Sequence, residues 1–316
     1  MLNFKKLISI STAAVLALSL IACSKPNNTD GTTKQSLTFG LMPSVDAIPF
    51  IIADEKGYFK AQGVDVKLEV FKSAKDRDAA FQSGSLDGII GDEVAICLYQ
   101  NADFNVKITG ITDGDFILVA GKDSGIKSIS DLKGKSAAIS EKTVIEYTLD
   151  SLLAKGGVEP NDITKTSIPA IPTRLEMLRN NKVDAALLPE PFCTLAIKDG
   201  GIQLGSANKE NMFPSVSAFT QKAIDSKTDS IKTFYKAYDK AVEYINSTPI
   251  SEYEATVIKT VGYPEDMKGK ITLPKFRKNV LPTDSELNDA INWAKKKGLL
   301  NKTLSTKDLV NDIATK

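Results

Sequence analysis

The feature that most limits what this chain can fold into is a pattern of strands and helices that recurs after 97 residues. Leu37–Met42 reads as an apolar strand and Asp46–Phe59 as a helix entered through Pro43-Ser44. Val64–Phe71 alternates as a strand, Lys75–Ser83 is helical, Asp87–Ile90 is a short buried strand and Glu93–Gln100 a helix. An offset of 97 reproduces the series without a gap: strand Lys135–Ile139, helix Thr143–Lys155, strand Ile163–Ile168, helix Thr173–Asn180, strand Asp184–Leu188 and helix Glu190–Ile197. Identities at this offset, such as Arg77/Arg174, Asp87/Asp184 and Glu93/Glu190, are near chance in number, so the phase of the pattern carries the argument. Strands alternating with helices imply βαβ units around parallel sheets. The predicted fold class is α/β, with two α/β lobes.

Asn105–Gly110 and Phe116–Ala120 read as strands between the copies, and Ile202–Gly205 and Val216–Thr220 as strands after them. With lobe crossings placed near Ala120–Gly121 and Pro214–Ala218, residues 37–119 and 217–316 form the first lobe and residues 120–216 the second. Ser230–Asn246 and Ser285–Lys297 are amphipathic helices with apolar residues at 3–4 spacing. Gly298 is the C-terminal cap of the latter, and the Tyr and Trp residues on both read as core.

Composition removes several function classes. The 316 residues include no histidine, which excludes serine–histidine triads and histidine zinc sites. Lys plus Arg number 40 against 39 Asp plus Glu, and a near-neutral body lacks the field expected of a nucleic-acid binder. No catalytic residue, cofactor or metal site is expected. Lys5 and Lys6 precede an apolar run, Leu7–Ala22, whose sixteen residues reach roughly 24 Å as a helix, short of the ~30 Å hydrocarbon core. Residues 1–22 therefore read as a signal peptide. Leu20-Ile21-Ala22-Cys23 resembles the lipobox of bacterial lipoproteins, which implies an acylated Cys23 at the outer face of a cell membrane. Residues 23–36 are polar and rich in turn formers, a flexible tether. Cys97 and Cys193 sit in apolar helical stretches of different copies and read as free buried thiols.

In open α/β sheets, ligands bind outside the carboxyl ends of the strands. Here that rule selects three loop pairs: Met42–Asp46 with Ile139–Thr143, Ser73–Lys75 with Ala170–Pro172, and Gly91–Glu93 with Leu188–Glu190. Helix starts there offer free N–H groups and the positive end of the dipole. Ser44, Ser73, Ser140 and Thr143 would add hydroxyls, although Ser and Thr at such places are equally explained as helix caps.

At these loops the residues resemble a known family. Leu41-Met42-Pro43-Ser44-Val45-Asp46-Ala47-Ile48-Pro49-Phe50, with Ala53-Asp54-Glu55-Lys56-Gly57-Tyr58-Phe59, resembles the opening of ABC-importer substrate-binding proteins of the alkanesulfonate, nitrate and thiamine-precursor group. Ser140–Tyr147 is similar to that family's second-lobe ligand loop, and Val183–Pro191 to its VDAA…EP stretch. The resemblance implies the type II periplasmic-binding-protein fold, two lobes joined by a two-strand hinge. It implies a monomeric lipoprotein that binds a small-molecule solute and delivers it to a permease and its ATPase.

The ligand-binding residues expected are Pro43, Ser44, Asp46, Phe50, Ser73, Asp92, Ser140, Thr143, Tyr147, Arg174, Glu190 and Phe192. Asp46 departs from the neutral residue of many family members. With Asp92, Glu141, Glu146 and Glu190 the expected cleft is acid-rich, and its cations are Arg174, Lys75 and Lys142. Carboxylates suit amino or ring N–H donors, so the expected solute is a nitrogen-containing organic molecule, with Phe50, Tyr147 or Phe192 stacking on a ring. Two alternatives stay open: binding of a sulfonate- or nitrate-type anion, and a sensor or adhesin that uses the cleft without transport.

Overall fold

In the computed structural model, which describes residues 36–315, the apolar runs form ten strands in two five-stranded sheets. The expected signal peptide, Cys23 and all of the tether but Ser36 lie outside the described residues. The first copy supplies β1 (Leu37–Leu41), α1 (Ile48–Glu55), α2 (Tyr58–Ala61), β2 (Val66–Val70), α3 (Ala74–Gln82), β3 (Gly88–Asp92), α4 (Glu93–Asn101) and β4 (Val106–Ile111). Next come β5 (Phe116–Ala120), β6 (Ser136–Ile139), α5 (Val144–Lys155), β7 (Thr164–Ser167), α6 (Ile171–Arg179), β8 (Ala185–Pro189), α7 (Phe192–Lys198) and β9 (Ile202–Ser206). The chain closes with β10 (Ser215–Thr220), α8 (Gln221–Ser226), α9 (Thr228–Ser247), α10 (Glu254–Val257), α11 (Asp284–Lys296) and α12 (Thr306–Leu309).

The sheets have one plan, β2-β1-β3-β10-β4 and β7-β6-β8-β5-β9. In each, the first three strands run parallel and the fourth antiparallel to both neighbours. The α/β class is as expected, but the sheets are mixed rather than parallel, because the strand returning from the other lobe enters each one antiparallel. The lobe boundary needs correction. β5 was placed in the first lobe, but it pairs with β8 and β9 and belongs to the second sheet. The first crossing is therefore residues 112–115, ahead of β5, and the return is residues 207–214, ahead of β10.

The repeat is also not gapless. Phe39 pairs with Gly88, 49 residues on, whereas Ala137 pairs with Ala185, 48 residues on. Leu37 to Val66 spans 29 residues and Ser136 to Thr164 spans 28, so the second copy is one residue shorter between its first two strands. The expected helix Asp46–Phe59 is likewise divided. It opens as a 3₁₀ turn at Val45–Ala47 and breaks at Gly57, whose φ of +68° is left-handed backbone that suits glycine.

α9 is the central prop of the first lobe. Its apolar face, Ile231, Phe234, Tyr235, Tyr238, Ala241, Val242 and Ile245, is fully buried, with Phe234 between Phe39, Phe50 and Phe59 at ring separations of 4.9–5.4 Å. α11 starts at a capping box of Thr283 and Glu286 and packs Leu287 and Ile291 into the cluster with Ile96 and Ile108. Gly298 follows it at φ +69°, as expected. Cys97 and Cys193 are free, buried and in different lobes. No helix among the described residues is long and apolar enough to cross a membrane.

Candidate functional site

All six loops selected by the strand-end rule meet between the lobes. Met42, Pro43, Ser44, Asp46, Ala74, Gly91 and Asp92 line one wall of a cavity of about 90 Å³, and Ser140, Thr143, Ile171 and Pro189 line the other. This exceeds the roughly 10–15 Å³ that a cavity needs to admit a single water, so the space is open to a small solute. The lobes also touch each other directly. Trp293 donates its Nε1–H to Asp150 of α5 at 3.0 Å and meets the Tyr147 ring edge-on at 5.6 Å. Lys297 reaches Glu146 at 2.6 Å and Asp150 at 3.3 Å, and Lys198 of α7 pairs with Asp266.

Two carboxyls face the cavity from the first lobe. Asp46 is 5% exposed and accepts hydrogen bonds from the Ser44 hydroxyl and, at 3.1 Å, from Thr112 in the first crossing. Burial raises its pKa above the ordinary carboxylate value, and those two hydroxyls only partly offset the effect. Asp92 is 7% exposed and caps α4 through the Ala95 N–H at 2.8 Å. Burial pushes it up to about 6, against the opposing influence of Arg77 and of the cap. Neither carboxylate takes part in an ion pair among the described residues. Gly114 crosses beside them with no room for a side chain. A Cβ there would lie 2.6 Å from Ser215 Oγ and 3.0 Å from Asp46 Oδ2.

The two arginines of the repeat both line the cavity and do the same structural work. Arg77 donates to the Ile90 carbonyl at 2.8 Å and Arg174 to the Leu187 carbonyl at 2.7 Å, each thirteen residues ahead. Arg77 also pairs with Asp78 at 2.7 Å. Among the described residues Arg174 has only carbonyl partners, those of Ile168, Pro169 and Leu187, and burial pulls its pKa down to about 10.

Of the twelve expected site residues, Pro43, Ser44, Asp46, Asp92, Ser140, Thr143 and Arg174 line the cavity. The other five do not. Phe50 is 0% exposed and packs against the rings of Phe39, Phe234 and Tyr238, because it lies in the first turn of α1 on the face toward α9. Tyr147 faces Trp293 instead, while Val144 and Ile145 of the same turn reach the cavity. Ser73 caps α3, accepting the Asp76 N–H at 3.2 Å. Glu190 turns back onto α7, accepting from Thr194 N at 3.3 Å and Thr194 Oγ1 at 2.8 Å. Phe192 packs into the second-lobe core. Glu146 lies at the lobe contact. Burial works against its ionisation, but the Lys142 N–H, Lys297 and Lys165 outweigh it and hold its carboxyl at about 2. Arg77, Phe116 and Ser215 line the cavity and were missed. Phe116 and Ser215 directly follow the crossings, and a first crossing misplaced by about one strand hid the former.

Comparison with known sequences settles the lineage. Residues 44–251 match the profile of the family described as NMT1/THI5 like. The chain belongs to the NMT1/THI5-like family. That agrees with the resemblance carried by the three loop motifs. A Brucella abortus relative named as a binding protein is 26% identical over 212 residues, covering 65% of each chain, just under two-thirds of that protein. Among solved structures, the periplasmic aliphatic sulphonate binding protein SsuA from Escherichia coli matches with a TM-score of 0.74 at 16% identity over 87% of this chain and 92% of that one. The desulfurization enzyme DSZB matches with a TM-score of 0.64 at 14% identity over 89% and 98%. At such identities these structures establish the fold, so the NMT1/THI5-like chain shares a scaffold that serves binding and catalysis alike.

Proposed function

We propose that this chain is the solute-binding lipoprotein of an ABC importer. It captures a small nitrogen-containing organic solute between its lobes and hands it to a membrane permease coupled to an ATPase, while acylated Cys23 holds it, as a monomer, at the outer face of the cell membrane. The observation that carries this reading is the cavity itself, built from the strand ends of two lobes and carrying two buried carboxyls that form no ion pair among the described residues. A buried carboxylate favours a ligand that brings an N–H donor or a positive charge. Closure follows by population shift, since contacts made only when the lobes meet stabilise the closed form. The relatives' binding-protein names support capture rather than turnover.

A second reading, a sulfonate-type anion, is favoured by Arg174, which has no acidic partner among the described residues, and by the name of the E. coli structural neighbour. A thermal-shift screen of amines, heteroaromatic vitamins and their precursors, amino acids and sulfonates separates the two, because a ligand of the folded state raises apparent stability by mass action. Stabilisation by sulfonates lacking nitrogen, and by nothing else, sinks the nitrogen reading. Asp46→Ala weakens binding of the screened solute by about 1–3 kcal/mol, the cost of an unpaired buried donor. Glu190→Ala leaves affinity unchanged, because its carboxylate is spent on α7. Calorimetry on both variants checks the pair, and the reverse pattern would move the site.

A further inference from the structure

The two walls of the cavity are copies of one design with opposite charge. Around Arg77 in the first lobe stand Asp46, Asp78 and Asp92. Ninety-seven residues on from Asp78 and Asp92, around Arg174, stand Leu175 and Pro189, and the helix start that answers the Asp46 loop carries Thr143. The backbone frame is the same: each arginine ties the carbonyl thirteen residues ahead, and Asp87 and Asp184 each accept a backbone N–H of the opening strand at 2.8 Å. The first-lobe wall therefore carries an excess of negative charge, with Arg77 already neutralised by Asp78 at 2.7 Å. Among the described residues no acid of the second lobe lines the cavity, and Arg174, 1% exposed, has no carboxylate within ion-pair distance.

Resting on the solute-capture reading, we propose that the cavity takes a zwitterion in one orientation: a protonated nitrogen against Asp46 and Asp92 of the first lobe, and an oxyanion against Arg174, Ser140 and Thr143 of the second. Unpaired buried charges are costly, and here three of them face one small space from opposite sides. A ligand with both charges satisfies both walls at once, whereas a cation or an anion alone leaves one wall uncompensated. The second-lobe wall adds donors. α5, twelve residues long, starts there behind the neutral cap Thr143, and α6, nine residues long, starts at Ala170 with no side-chain cap. The class is a small amino acid or aminosulfonate whose two charged ends can span the gap between the walls.

The test is calorimetry on the intact protein at neutral pH with β-alanine and 3-aminopropanesulfonate as zwitterions, propylamine as the cation alone, and propanoate and propanesulfonate as the anions alone. At least one zwitterion binds tenfold or more tighter than every one-ended probe. Asp92→Asn, which retains the helix cap, weakens the zwitterion and propylamine but leaves propanoate unchanged, and Thr143→Val has the opposite selectivity. Arg174→Gln is read only if its circular dichroism matches the parent, since Arg174 also ties three carbonyls. A one-ended probe that binds as tightly as the zwitterions, or silence of all five, overturns the zwitterion assignment. Solute capture is judged separately, by whether any compound in the wider screen stabilises the protein.

Discussion

Asp92 shows what a binding wall costs before a ligand arrives. Its carboxyl sits at about 6 when folded, against an ordinary value near 4. Between those values the folded protein keeps a proton that the unfolded chain has lost, so stability falls as pH rises through the window and the penalty is complete above about 6. Asp92→Asn preserves the cap on Ala95 and removes the penalty. The variant is expected to be more stable than the parent by about 1–3 kcal/mol at neutral pH, with the gap closing near pH 4. Denaturant titrations at the two pH values check this, and a gap that is the same at both shows that the carboxyl is not desolvated. The residue pairs behind such features were only partly legible. Arg77/Arg174 and Asp87/Asp184 stood out as two identities among a near-chance handful, yet each proves to hold the same bond in both lobes. Sequence could place Asp46 and Asp92 on ligand loops because a strand end fixes its loop. It could not tell Glu190 from them, since the carboxylate's turn toward Thr194 depends on side-chain torsion rather than position.

At the scale of elements, the unexpected feature is α11. Its amphipathic pattern predicted a helix and buried Leu287 and Ile291, but nothing in a period of 3.6 residues says which neighbour the polar flank meets. That flank carries Trp293, and Lys297 directly follows the helix. Both engage α5 across the lobe boundary, Lys297 reaching Glu146 at 2.6 Å beside the Lys165–Glu146 contact at 3.0 Å. If these contacts form only when the lobes close, Lys297→Met removes part of the closing force. Partly exposed ion pairs contribute about 1 kcal/mol or less, so solute affinity should fall by up to about fivefold and become less sensitive to salt. Titrations at low and high ionic strength decide it, and an unchanged affinity at low salt assigns the contact to both open and closed forms. Three of the five expected site residues that fall outside the cavity have a related cause. Phe50, Tyr147 and Phe192 lie on helices that start at the cavity, yet their own turns point each ring at a core, so the start of an element was legible and its rotation was not.

For the whole molecule, the sequence reading anticipates two α/β lobes with the second inserted into the first, and errs only over which sheet β5 joins. All five strands of the second sheet come from the continuous stretch between Phe116 and Ser206, whereas the first sheet needs β10 to separate β3 from β4. A fragment of residues 115–207 should therefore fold alone, with mixed α/β circular dichroism and a cooperative thermal transition, while residues 36–114 alone should not. A fragment of residues 115–207 without a cooperative transition refutes that independence. The two links between lobes are unequal, four residues in 112–115 and eight in 207–214. Four residues extend to at most about 14 Å and eight to about 28 Å. The shorter strap, drawn tight by Thr112 on Asp46 and by Asp113 on Arg277 at 2.6–2.7 Å, sets the leash. The mouth of the molecule can gape only by swinging about that strap, so the doorway is widest at the edge farthest from it, and a guest must enter and leave there.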